Sequence, residues 1–155
     1  GHIAGMNALA DEVRCYQRRA PLSIVFTDPE VAVVGASAAS LEHGRFETGT
    51  ASFDNQGRAR AGQRNQGRIA LYADRSDGKL LGAELCAPAG EHLAHLLGLA
   101  VSQGLSVHDL LAMPIYHPVL EEGLRTSLRD ASRKLPGPRA SDLAHCAPMG
   151  SAALE

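Results

Sequence analysis

The densest chemistry in this 155-residue chain lies in the segment Met113-Pro-Ile-Tyr-His-Pro-Val-Leu-Glu-Glu122. Two prolines four positions apart push the residue before each toward extended backbone, so His117 is displayed by a loop rather than packed along a helix. Pro118 suits the first position of a helix, which puts Glu121 and Glu122 in the opening turns, near enough for one carboxylate to reach back to the imidazole. Spacing does not choose between them. A carboxylate on one ring nitrogen fixes the tautomer and makes the other nitrogen a usable proton acceptor, which is the equipment of acid/base chemistry. The same residues also serve a plain helix start, with two acids complementing the helix dipole.

Other candidate groups are weaker. The run Gly62-Gln-Arg-Asn-Gln-Gly67 has the four-residue gap of a phosphate loop, but Arg68 and Ile69 stand where Lys and Ser or Thr would reach phosphate and metal. A polar connection between strands accounts for it better. No GxGxxG occurs, so no dinucleotide site is assigned within the chain. His92 and His95, behind Glu91, sit one turn apart, a spacing that can share a metal, but a third ligand has no local source. Leu93, Leu96 and Leu97 claim the buried face of that helix, leaving the two histidines to a solvated one, and no metal site is assigned. His43 and His108 read as surface or capping residues, and His145 falls in a tail.

Around these groups the hydrophobic pattern predicts a helix from Ala4 to Arg19 that Pro21 ends, then strands over Leu22–Thr27 and Val31–Val34. Ser37 is placed to cap a short helix. A strand over Arg45–Phe53, a polar linker, and strands over Gly67–Ala73 and Lys79–Leu85 follow, the last two joined at Asp77-Gly78, a hairpin signal. From Gly90 the period becomes helical and ends at Gly104; Ser106 caps a shorter helix to Ala112, and Leu120, Leu124 and Leu128 mark the buried face of a last helix. The expected fold is α+β, an antiparallel meander with helices segregated on one side.

Composition agrees with an ordinary globular chain: 45% hydrophobic, 21% charged, net charge −2, with an aliphatic core forced by the absence of Trp. The near-neutral balance argues against nucleic acid or an anionic membrane as partner, and no run reaches the roughly 18 apolar residues of a membrane helix. Three well-separated cysteines, Cys15, Cys86 and Cys146, fit a reducing cytoplasm better than a disulfide scaffold. Residues 136–155 turn to Pro, Gly, Ala and Ser without period and are expected to be a flexible tail, its final Leu154-Glu155 of the kind an expression vector leaves.

The runs Phe26-Thr-Asp-Pro-Glu-Val-Ala-Val-Val-Gly35, Gly82 to Glu91, Gly104-Leu-Ser-Val-His-Asp-Leu110 and Tyr116-His-Pro-Val-Leu-Glu-Glu122 resemble the C-terminal dimerisation domain of the pyridine nucleotide-disulfide oxidoreductases. That family includes dihydrolipoamide dehydrogenase, glutathione reductase, mercuric reductase and soluble transhydrogenase. The resemblance spans about Leu22 to Asp130, with Gly5 to Leu9 similar to the end of a preceding flavin-binding domain. It implies three parts: 1–20 as that domain's end or an entry helix, 21–135 as the dimerisation domain, and 136–155 as the tail. It also implies that His117 matches the family's catalytic base and Glu122 its orienting carboxylate. The chain departs from the pattern at Val119, where Thr is usual, and at Tyr116, where a small residue is common.

The resemblance further implies a parent enzyme with FAD, NAD and a redox-active CxxxxC disulfide upstream, and a homodimer in which His117 enters the partner's active site to serve a dithiol of lipoyl type. The alternatives are a glutathione reductase, mercuric reductase or transhydrogenase type, or a non-catalytic dimerisation module. The isolated chain is expected to be inactive, with His117 at the domain edge and its bond to Pro118 cis. Lacking a Gly-rich turn after a strand, the purified chain should be colourless and retain no flavin absorbance through gel filtration.

Overall fold

The computed structural model describes residues 1–16 and 19–137. Among them, α1 (His2–Ala8) is followed by β1 (Leu22–Val25), β2 (Glu30–Gly35), β3 (Phe46–Ser52), α2 (Gly57–Ala61), β4 (Arg68–Asp74) and β5 (Leu80–Ala87). Three helices, α3 (Gly90–Gln103), α4 (Val107–Ala112) and α5 (Glu121–Lys134), complete the described residues.

The strands form one antiparallel sheet in the order β1-β2-β5-β4-β3. Strands β3, β4 and β5 make the expected meander, and β5 then closes against β2. Because facing residues in a ladder share a side, register identifies the core face: Ala32 lies opposite Leu85, Leu85 opposite Ile69, and Ile69 opposite Ala51, all of them buried. Helix α3 covers this face over β1, β2 and β5, and α5 covers it over β3 and β4. The opposite face carries Val33, Glu84, Ala70 and Thr50 in one cross-strand row, and Val31, Cys86, Arg68 and Ser52 in the next. There Tyr72 donates a hydrogen bond to the Glu84 carboxylate, and burial, with that bond, raises its hydroxyl above the ordinary tyrosine range.

Two expected elements differ. Helix α1 stops at Ala8 rather than Arg19, because the Asn7 side chain both accepts from the Arg14 N–H at 3.2 Å and donates to the Arg14 carbonyl at 2.9 Å, folding the chain back. Met6, Leu9 and Val13, which would have formed a buried stripe, remain exposed, so no packing supports a longer helix. The polar linker, conversely, contains α2. Its first turn is held by Gln56, whose side-chain oxygen accepts the Ala59 N–H at 2.6 Å, and Ala59 is buried. The segment expected to be a tail, 136–155, lies outside the described residues except for Pro136 and Gly137.

Helix α5 is pressed unusually close to the sheet. A Cβ on Gly49 would stand 2.2 Å from the Ser127 carbonyl oxygen and 2.7 Å from the Ala131 Cβ, so α5 rests on bare β3 backbone. Its Asp130 accepts the Thr50 N–H at 2.9 Å, and Lys134 donates to the Thr48 carbonyl and to Asp130, each at 2.7 Å. Gly49→Ala should therefore lift α5 and destabilise the chain by about 1–3 kcal/mol, the usual cost of overpacking. Gly57→Ala, where a Cβ meets nothing within 4 Å, should stay within about 0.5 kcal/mol of the parent in urea unfolding.

Candidate acid/base site

The loop that leaves α4 and enters α5 carries His117. Helix α4 starts with a reciprocal cap: Ser106 Oγ accepts the Asp109 N–H at 3.1 Å while the Asp109 carboxylate accepts the Ser106 N–H at 2.8 Å. After Met113 the two prolines keep the chain out of helix, and the His117–Pro118 bond is cis. Helix α5 begins at Glu121, not at Pro118. From the first turn the Glu122 carboxylate reaches back to accept the Val119 N–H at 3.2 Å, tying the loop to the head of the helix.

Of the two acids that spacing left open, it is Glu122 that meets the imidazole. His117 Nδ1 lies 2.8 Å from Glu122 Oε1, while Oε2 holds the Val119 amide. With Nδ1–H donating to the carboxylate, Nε2 is left as the acceptor, and the ring stands at the domain edge with its side chain 79% exposed. The bond with His117 holds the Glu122 carboxyl below the ordinary glutamate range, helped by the Val119 amide and the Arg125 charge.

The helix that carries Glu122 is fixed from beneath by Phe53, which is fully buried at the end of β3. A Cβ on Gly123 would lie 2.6 Å from the Phe53 ring, so the residue after Glu122 must be glycine for α5 to seat. Gln56 adds a second tether, its Nε2 donating to the Val119 carbonyl at 2.6 Å. Neither Phe53 nor Gln56 was singled out for the site by sequence. The available signal was a Gln opening a short Ala- and Arg-containing run, masked by the glycines on both sides of it.

The remaining candidates are occupied elsewhere. His95 Nδ1 lies 2.7 Å from the Glu91 carbonyl of its own helix, and His92 faces the Glu91 carboxylate at 3.5 Å. No three metal-ligating side chains cluster among the described residues. Gly62 closes α2, and Arg64 pairs with Asp28 at 2.8 Å on the surface. Cys15 is exposed and Cys86 half-buried, both as free thiols, while His145 and Cys146 lie outside the described residues.

These residues do not fit a bound dinucleotide. The sheet is antiparallel throughout, and the α3 N-terminus, where a pyrophosphate would sit, is filled by the Glu30 carboxylate accepting the Glu91 N–H at 2.7 Å. The start of α5 carries two acids of its own.

The family described as the pyridine nucleotide-disulphide oxidoreductase dimerisation domain matches residues 22–128. The chain belongs to this family. It is 32% identical over 124 residues to a dihydrolipoyl dehydrogenase of Halobacterium salinarum, covering 79% of this chain and 26% of that protein. To a mercuric reductase of Acidithiobacillus ferrooxidans it is 33% identical over 113 residues, 72% of this chain and 21% of that protein. The chain thus spans about a quarter of the length of the curated relatives it matches. Among solved structures, LpdA from Mycobacterium tuberculosis superposes with a TM-score of 0.68 at 25% identity, covering 81% of this chain and 28% of LpdA. The flavoprotein disulfide reductase RclA from Escherichia coli shares the fold, with a TM-score of 0.67 at 20% identity over 84% of this chain and 30% of its own. The domain is therefore an oxidoreductase dimerisation domain of α+β fold, and no described helix is long and apolar enough to cross a membrane.

The depressed Glu122 carboxyl has a sign that can be measured. Its contribution to folding is complete above the ordinary glutamate range, about pH 4–5, and is lost as pH falls through its lower folded-state value. Glu122→Gln should make the acid-side decline of the urea midpoint shallower without flattening it, because Asp74, Asp77 and Asp130 are also held low.

Proposed function

We propose that this domain completes the active site of a flavoprotein disulfide oxidoreductase of dihydrolipoamide dehydrogenase type, with His117 as acid/base and Glu122 as its orienter. The parent enzyme carries FAD, NAD and a redox-active disulfide outside this domain. It works in the cytoplasm as a homodimer in which His117 reaches the partner's disulfide, so the isolated domain is catalytically incomplete. The observation that carries this reading is the 2.8 Å bond from His117 to Glu122, which leaves a largely exposed Nε2 as acceptor on a loop at the domain edge.

The chemistry suits that nitrogen. A dithiol substrate gives one S–H proton to Nε2, and the thiolate, which is the nucleophilic form, uses its electron pair to bond one sulfur of the partner's disulfide. The disulfide S–S bond breaks with its pair leaving on the other sulfur. The second substrate thiol then loses its proton to a base, and its thiolate attacks the substrate sulfur of the mixed disulfide, forming the S–S bond of the oxidised substrate and releasing the enzyme's sulfur with the electron pair of the broken bond. Glu122 stabilises the imidazolium formed on proton uptake and holds the ring in the tautomer the next turnover needs. The dihydrolipoyl dehydrogenases among the relatives favour a lipoyl dithiol as substrate.

In the complete enzyme, His117→Gln preserves size and some hydrogen bonding while removing the acceptor. Electron transfer from dihydrolipoamide to flavin, followed by stopped-flow absorbance, should slow by about 10²- to 10⁴-fold with flavin content and dimer mass unchanged. Full activity in that variant would overturn the assignment.

A further inference from the structure

We propose that Gln56, on the far side of the sequence from the loop, is a positioning residue for the His117–Glu122 pair. The inference rests on the acid/base reading above and extends it to a residue outside the motif. Val119 is the hinge of the argument. The loop from Met113 to Leu120 has no regular ladder to hold it, yet both polar backbone groups of Val119 are taken by side chains. Its N–H goes to Glu122 Oε2 at 3.2 Å, and its carbonyl accepts from Gln56 Nε2 at 2.6 Å. Glu122 therefore uses one oxygen to orient His117 and the other to grip a residue whose opposite side is held by Gln56.

The Gln56 carboxamide is itself locked. Its Oε1 accepts the Ala59 N–H at 2.6 Å, and the backbone N–H of Gln56 donates to the Phe53 carbonyl at 3.0 Å. Only one orientation of the amide serves both contacts, because the Ala59 N–H must face an acceptor and the Val119 carbonyl must face a donor. Gln56 is half-buried, and the short helix it caps is pinned by buried Ala59. The carboxamide thus fixes the Val119 carbonyl relative to the end of β3, where Phe53 also seats Gly123. The His117 loop and the Glu122 helix are referred to the same point of the sheet from two directions.

Glutamate at position 56 isolates the relevant bond. Gln56→Glu keeps length and the acceptor for Ala59, so the α2 cap survives, but an ionised carboxylate cannot donate to the Val119 carbonyl and opposes it. A protonated carboxyl can donate again. Gln56→Met keeps most of the volume and makes neither bond. In the complete flavoenzyme at neutral pH, both variants should slow dihydrolipoamide-to-flavin transfer by about ten- to a hundredfold, the scale of a misplaced catalytic group. The ratio of Gln56→Glu to parent should climb as pH falls and the introduced carboxyl protonates, whereas that of Gln56→Met should stay flat. In a His117→Gln background, Gln56→Met should cause no further slowing, because the residue acts through the histidine.

Equal slowing by Gln56→Met with and without His117 would overturn the inference, as would parental rates in both single variants. If either result came with a slow His117→Gln enzyme, the acid/base reading would stand without Gln56. A fully active His117→Gln enzyme would instead remove the reading on which Gln56 depends. Should Gln56→Glu fail to accumulate as a flavoprotein, the Gln56→Met cycle alone decides.

Discussion

The contact between α5 and β3 governs the geometry of the whole site. A helix brings its side chains to a defined height above a sheet, and here that height is set where the helix meets main chain at Gly49 and an aromatic ring under Gly123. Raising α5 by the width of a methyl group would carry Glu122 with it, while His117, on the preceding loop, would not follow rigidly. Close packing of small residues at the base of the helix is thereby converted into a 2.8 Å hydrogen bond at its tip. Interiors packed to crystal-like density transmit such constraints because they have no slack to absorb them.

The loop and the head of α5 also show how little of the site lies in regular structure. Backbone groups that a helix or strand would have satisfied are answered one at a time, by Glu122 and by Gln56 at Val119. Such an arrangement leaves His117 exposed without leaving it loose. The helix starts tell a related story: α3 takes the Glu30 carboxylate and α4 its own Asp109, so both spend their positive ends on internal acids.

Much of this was readable from the chain. Alternation in the strands, the Asp77-Gly78 turn, the Ser106 cap and the helical spacing of Leu93, Leu97, Leu124 and Leu128 each depend on neighbours a few residues away, and each formed as expected. The two prolines around Tyr116 marked the display of His117 for the same reason. What escaped depends on distance. The choice of Glu122 over Glu121 turns on where α5 begins, at Glu121 rather than at Pro118. Helix α2 is too short and too glycine-flanked to declare itself, and it forms because Gln56 caps it and Ala59 finds the core. The helical pattern from Ala4 made the opposite error: with no surface to bury its apolar stripe, the helix ends at Ala8 and the chain turns back, tied by Asn7 to Arg14.

The clasp of Asp130 and Lys134 on β3 carries a consequence for how the domain can associate. Strand β3 is one rim of the sheet, and an uncovered rim is a template on which another strand can pair. On this rim the outward amide of Thr50 is already bonded to Asp130 and the carbonyl of Thr48 to Lys134, so two groups in the middle of the strand are withdrawn from any newcomer. The other rim, β1, is only four residues long. A second subunit therefore cannot join by extending the sheet past β3 without first displacing charged side chains, and growth of the sheet into an open-ended stack is blocked at the edge that would best support it.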